Sequence, residues 1–380
     1  MKTRIIFISV LAAALLSGCG REMPEIPDGN GILTVAIADT TGSFPGSVEG
    51  VPFLLAEANV SLQARTHVFT ASTLTESDGS AVFTGLPAGD YSLFARTEVV
   101  AGAQKKVFTG YVDVEIDEDG VVSDTLYVSS VIVNALMINE ILYCGSDYAN
   151  FYFYDQFVEL YNSSEDTLYL DGIILTRNYP DDFPDMDTND FVRAIYAFQF
   201  PGTPVTGREH PIAPKQYIVI AADAIDHSIW ASDATDLSGA DWECFNPLGS
   251  DYDVPGVPNI VNIMPGRTLD YMINVSHNAV VIATGEEYDF ETYGDGSLRL
   301  TLPLYTVIDG VEYGSSADIT KELTVRVDAG WAGIGNSKYS AQSVERREIG
   351  VDTNNSIFDF VLTKPATPGW SHLDTGGVKK

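Results

Sequence analysis

Short runs in which apolar residues fall at every second position recur along most of this chain, separated by clusters of Gly, Pro, Asp and Asn. Between residues 31 and 129 they read ILTVAIA, ANVSLQA, AVFTGL, YSLFART, KVFTGYVDVEI and VVSDTLYV. A period of two over four to eight residues predicts strands with one buried face, and no helical period is sustained. Asp78-Gly79 and Asp119-Gly120 fall between such runs, and both dipeptides tolerate the positive φ that tight hairpin turns demand. Beyond Val131 come MINEI (137–141), FVELYN (157–162), LYLDG (168–172), IAPKQYIVI (212–220), VIDGVEYG (307–314) and SVER (343–346). In these, apolar positions alternate around fixed polar ones. Residues 176–210, rich in Asp and Pro, and 222–297, rich in Asn, Gly and Pro, read as long insertions between strands.

One apolar run does not alternate. Ile5 to Leu16 is continuous, follows Lys2 and Arg4, and ends in Ser17, Gly18 and Cys19, the three regions of a secretory signal. It is shorter than the ~20 residues that span a bilayer. Leu16-Ser17-Gly18-Cys19 resembles the bacterial lipobox. That resemblance implies cleavage before Cys19, diacylglycerol on its thiol, and a chain held on a membrane by acyl groups; the competing reading is a plain secretory signal. Gly20 stands where an Asp would resemble an inner-membrane retention signal, which favours the outer membrane. Residues 1–18 are then the signal peptide and 19–30 a polar tether.

Two longer resemblances follow from the patterned runs. Thr75-Glu76-Ser77-Asp78-Gly79-Ser80-Ala81-Val82-Phe83-Thr84-Gly85-Leu86-Pro87-Ala88-Gly89-Asp90-Tyr91 is similar to the carboxypeptidase regulatory-like, or transthyretin-like, family. The likeness implies a small β-sandwich over residues 31–129, a spacer or docking module without catalysis. The order Ile138-Asn139-Glu140-Ile141, Val158-Glu159-Leu160-Tyr161-Asn162, Asp171-Gly172, Asp309-Gly310-Val311-Glu312-Tyr313, Ser343-Val344-Glu345-Arg346 and Thr367-Pro368-Gly369 looks like the lamin-tail domain. It implies an immunoglobulin-like sandwich over 130–375, a length that requires the insertions, since such a domain needs only ~100 residues. The predicted fold class is therefore all-β, a transthyretin-like sandwich followed by a lamin-tail-like one. The whole resembles uncharacterised two-domain bacterial surface lipoproteins, and some exported lipoproteins of this general architecture accompany TonB-dependent outer-membrane transporters.

Composition narrows the function. The chain has 53 acidic against 21 basic side chains, a net charge of −32. Nucleic acid is excluded as a partner, because that affinity comes from cationic side chains releasing counterions. A hydrophobic content of 45% places this charge on a folded body rather than a disordered acidic tail. Apart from Cys19 only Cys144 and Cys244 remain; in an exported chain they read either as one disulfide or as two buried thiols.

Candidate chemistry is sparse. No G-x-S-x-G, H-E-x-x-H, Walker or dinucleotide fingerprint occurs, and the histidines lack metal-ligand spacing, so no catalytic residue is expected. Asp185-Met186-Asp187-Thr188-Asn189 opens like a calcium loop but lacks the glycine and closing glutamate. A structural calcium held by Asp181, Asp182, Asp185, Asp187 and Asp190 competes with a solvated acidic loop. Asp223, Asp226 and His227 form a weaker metal candidate. Phe151, Tyr152, Phe153 and Tyr154 cannot all point to one side of a strand; with Trp242, Phe245 and Tyr252 they form either a recognition surface or a buried minicore. Glu140, Glu159 and Arg346 read as structural ion-pair or turn residues. The expectation is a non-enzymatic binding or accessory lipoprotein, attached to the membrane by its anchor and partnered by an outer-membrane transporter or another surface protein. An adhesin, and more remotely a carboxylate-dependent enzyme, are the alternatives.

Overall fold

The computed structural model describes residues 29–374 except 66–68, 102–103, 132–133, 147–152, 179–189, 295, 317–320 and 325. Cys19 and the apolar run before it lie outside the described residues. Alternation builds a first sheet of β1 (Gly31–Asp39), β2 (Phe53–Leu54), β3 (Asn59–Ala64), β4 (Thr70–Leu74), β5 (Ser80–Leu86), β6 (Gly89–Ala101), β7 (Gln104–Ile116) and β8 (Val121–Val131). Their order is β2-β1-β8-β7-β6-β3-β4, with β5 also paired to β1. β8 joins the two halves: residues 121–128 run parallel to β1, and 129–131 pair with β7. The alternate residues Leu33, Val35 and Ile37 of β1 meet Val60, Leu62, Phe83, Leu93 and Phe108 in one core.

The Asp-Gly turn forms between β4 and β5, with Gly79 at φ +76° against Leu54. A side chain there would strike that residue's Cβ at 2.8 Å. Tyr91 is fully buried and donates its hydroxyl to the Pro87 carbonyl at 2.6 Å, so the Leu-Pro-Ala-Gly corner is tied to the strand that follows it.

The second sheet comprises β9 (Leu136–Leu142), β10 (Phe157–Asn162), β11 (Leu168–Tyr169), β12 (Ile174–Asn178), β13 (Phe191–Gln199), β14 (Pro211–Ile212), β15 (Tyr217–Ala221), β16 (Trp242–Phe245), β17 (Asn259–Asn262), β18 (His277–Ala283), β19 (Asp289–Thr292), β20 (Leu298–Pro303), β21 (Val307–Gly314), β22 (Ser343–Arg346) and β23 (Phe360–Thr363), of which β11 and β14 pair only with each other. The main order is β21-β18-β12-β13-β17-β16-β15-β10-β9-β22-β23, and β20 brings the β19 hairpin onto β13. One helical turn, α1 (Ser356–Asp359), precedes β23. The chain is thus all-β.

The segments expected as insertions do not lie outside this sheet. They supply β13 and β16 to β19, because FVRAIYAFQ and HNAVVIA are apolar enough to be buried almost throughout. Pro and Asp at their flanks concealed them.

Strands β9, β10 and β22 are buried at every position. Their polar residues therefore face protein on both sides and must find partners there. Arg346 is fully buried; its Nε donates to the Ile138 carbonyl at 2.7 Å, and its guanidinium reaches Asp309 at 2.9 Å, Asp352 at 3.3 Å and Asp359 at 3.5 Å. The structural role expected for Arg346 is the one it has.

The possible disulfide is not formed, and of the two readings the buried thiols stand: Cys144 and Cys244 are free and buried. Cys144 follows β9, and two strands, β10 and β15, separate β9 from β16, which holds Cys244. Three strand spacings are about 14 Å, twice the reach of a disulfide. Cys144 Sγ instead contacts the Gln342 carbonyl at 2.9 Å.

This packing has two measurable outcomes. Arg346→Ala leaves three buried aspartates without their cation and is expected to lower stability by about 3–5 kcal/mol, read by urea unfolding. Reductant is expected to leave the melting temperature unchanged, and both thiols should react with iodoacetamide only after denaturation; a melting temperature lowered by dithiothreitol would contradict the free-thiol assignment.

Candidate functional site

Two groups of acids in the second sheet look alike in sequence and differ in what they do. The first lies on the fully buried strands. Glu140 accepts from the Thr367 amide and hydroxyl, both at 3.0 Å, and from the Ser343 hydroxyl. Glu159 accepts from Asn139 at 2.8 Å and from the Gly369 amide. Glu345 accepts from the Thr367 hydroxyl at 3.1 Å and the His372 amide at 3.0 Å, and meets His372 Nδ1 at 2.6 Å. Three acids from three adjacent strands thus grip residues 367–372. Burial, reinforced by the neighbouring Glu345 charge, pushes the Glu140 carboxyl up; burial and the Glu140 charge do the same to Glu159. The sequence expectation of a structural role for Glu140 and Glu159 matches this arrangement.

The second group sits on loops. β15 runs parallel to β16, and β16 parallel to β17, so the loops that leave their C-terminal ends emerge together. They carry Asp223, Asp251 and Asp270, whose carboxylate oxygens all lie within 4.8 Å of one another. Glu243 on β16 is fully buried and clamps two of these loops, accepting from the Ala224 amide at 2.9 Å and the Val254 amide at 3.0 Å. Asn246 ties the other pair: its amide donates to Asp251 and its side chain to the Arg267 and Leu269 carbonyls. Burial first, then the charges of Asp251 and Glu243, push Asp223 up to about 7. Burial and Asp251 likewise raise Asp270.

A third group, Asp171, Glu209 and His210, also brings ligand atoms together, but Asp171 is already spent. It accepts from the Glu209 and His210 amides at 3.0 Å each. Burial works to raise its carboxyl, and those amides outweigh it and hold it below the ordinary value.

Beside β15 lies a cleft of ≈ 340 Å³ lined by Lys215, Tyr217, Asp236, Asp241 and Pro368, among others. Asp241 is anchored by the Val219 amide at 2.8 Å. Tyr217 packs against Tyr161 with ring centroids 4.7 Å apart.

Other sequence candidates either lie outside the described residues or are dispersed among those described. Phe151 and Tyr152 lie outside the described residues, and so do Asp181, Asp182, Asp185 and Asp187. Asp190 is exposed and pairs with Arg326 at 2.9 Å. Trp242 belongs to the core, edge-on to Phe200 and His210, while Tyr252 is 61% exposed; Phe153 and Phe245 are half-buried and Tyr154 is exposed. Of the two readings open for these residues, Trp242 takes the buried one, because it points inward from a strand, whereas Tyr154 and Tyr252 are exposed. His227 is buried, with Nε2 on the Asp223 backbone carbonyl at 3.1 Å, and Asp226 caps the short turn through the Ser228 amide, so neither joins Asp223 as a ligand. Asp251 and Asp270 escaped sequence reasoning, since they stand 28 and 47 positions after Asp223. Only the parallel order of β15, β16 and β17 unites them.

The fold defines an all-β protein whose loop-rich second sheet carries the clustered acids. Residues 213–367 match the family described as "Protein of unknown function (DUF4876)". A crystal structure of a DUF4876 family protein from Bacteroides thetaiotaomicron shares the fold, with 23% identity over 87% of this chain and 94% of that one, and a TM-score of 0.54. A candidate carbohydrate-binding protein from Pseudomonas aeruginosa (12% identity, 28% of this chain, 99% of that one, TM-score 0.21) and a candidate adhesin from Bacteroides ovatus (9%, 78%, 90%, 0.19) are more distant. Scores that low carry no argument. No curated protein matches the chain.

The raised carboxyls set a pH dependence. An acid whose folded value lies above its unfolded value of 4.5 contributes stability that is present below pH ~4.5 and lost as pH rises through the folded value. The melting temperature is therefore expected to fall between pH 5 and pH 8. Glu140→Gln should flatten part of that slope in thermal melts across the range; an unchanged slope would show that Glu140 does not titrate as described.

Proposed function

We propose that this chain is a lipid-anchored surface protein of the outer membrane that binds a partner without catalysing a reaction. The anchoring half rests on Leu16-Ser17-Gly18-Cys19 behind Lys2, Arg4 and a short apolar run. The binding half is supported by one observation: a cleft lined by the Lys215 and Asp236–Asp241 loops at the N-terminal ends of β15 and β16, opposite the end where the loops after β15, β16 and β17 converge. Scaffold-borne loops are where binding residues concentrate. The first sheet serves as a transthyretin-like stalk and the second as a lamin-tail-like head. The partner on this reading is an outer-membrane transporter of the TonB-dependent kind.

Radiolabelled palmitate is expected to enter the wild-type chain and to be lost in Cys19→Ala, with the wild type in the outer-membrane fraction. Cross-linking on intact cells should then join the head to an outer-membrane β-barrel protein through residues near the cleft. An unlabelled wild-type chain would refute the anchor. A barrel adduct equally abundant in a Lys215→Glu, Asp241→Lys double variant would refute the cleft as the contact.

A further inference from the structure

We propose that Asp223, Asp251 and Asp270 form a binding site for a calcium-sized divalent cation. Asp223 carries the argument. It is only 5% exposed, and its carboxylate accepts no hydrogen bond and forms no ion pair with any described residue. Several other acids buried to the same degree are satisfied: Asp171 by two amides, Glu243 by two amides, and Asp328 by the Glu312, Gly330 and Ser356 amides and the Ser356 hydroxyl; Asp155, fully buried and also without a partner, belongs to no such cluster among the described residues. A buried carboxylate with no donor is costly, and the groups facing Asp223 make it worse. They are Asp251, Asp270 and Glu243, all acidic. Neither Asp251 nor Asp270 forms an ion pair with a described residue, so no side-chain cation relieves the cluster.

A divalent ion removes both penalties at once. Calcium takes six to eight oxygens at about 2.3–2.6 Å, so oxygens on opposite sides of it stand about 5 Å apart. The mutual limit of 4.8 Å among the three carboxylates suits that span. The donors are hard oxygens only, which disfavours zinc and copper. Cys244 lies beneath the cluster, but burial, then the Asp270 and Asp251 charges, push its thiol well up, keeping it protonated and unsuited to a metal.

The loops are also fixed in advance. Glu243 holds the loop after β15 to the loop after β16, and Asn246 holds the latter to the loop after β17. Cation binding thus demands little ordering of the backbone. The site is distinct from the Asp181–Asp190 segment, and it depends on no part of the proposed binding role.

The test uses the full chain in detergent, stripped with chelator and titrated with calcium chloride. Calorimetry is expected to show one ion per chain, and saturating calcium should raise the melting temperature by about 5 °C. Asp223→Asn and Asp270→Asn should each abolish the shift, whereas Asp226→Asn, altering a carboxylate outside the cluster, should keep it. Because Asp223→Asn also removes one repelling charge, that variant is expected to melt no lower than wild type without calcium, which separates lost binding from failed folding. Absence of heat and of any shift at about 10 mM calcium, tenfold above the weakest extracellular calcium modules, would overturn the proposal. A full shift retained in Asp223→Asn would do the same.

Discussion

Everything in the second sheet depends on a single constraint: strands covered on both faces cannot leave a charged side chain unanswered. β9, β10 and β22 are enclosed throughout, yet they carry Glu140, Glu159, Glu345 and Arg346. Three aspartates and a backbone carbonyl surround the guanidinium, and amides and hydroxyls of the chain's closing segment answer the glutamates. Such networks gain little net free energy over apolar packing but are costly when half made. They specify which strands lie together more than they hold them.

That logic separates the two kinds of acid in the molecule. The buried acids on β9, β10 and β22 are each matched with several donors from elsewhere in the chain. Those on the loops beyond β15, β16 and β17 are gathered by topology, and one of them has no donor at all. Clustered carboxylates in loops are common and signify little by exposure alone. Here the loops are clamped from below by Glu243 and Asn246, so the cluster is a fixed geometry rather than an average over mobile side chains.

How much of this was legible in the sequence follows from range. Alternation at Leu33, Val35 and Ile37, the Asp78-Gly79 turn and the inward Tyr91 are local signals, and the all-β class follows from them. The polar residues embedded in MINEI, FVELY and SVER announced a structural use, because a charge inside an apolar run must be satisfied there. Strand β13 escaped because Asp and Pro near its start resemble loop composition, while seven of its own nine residues are apolar. The cysteines left both a disulfide and buried thiols open, because only strand order, which places two strands between them, decides. Asp223, Asp251 and Asp270 were invisible as a group, since no spacing rule links loops that only parallel pairing brings together.

The grip on residues 367–372 carries a consequence for biogenesis. Donors to Glu140 and Glu159 include positions more than 200 residues downstream, so the sheet's interior cannot be completed until residues 367–369 have been made. A chain interrupted before Thr367 would leave Glu140, Glu159 and Glu345 enclosed with too few donors, and it would open readily to proteases. The Thr367-Pro368-Gly369 segment therefore couples completion of the sheet's interior to a stretch remote from it in the chain.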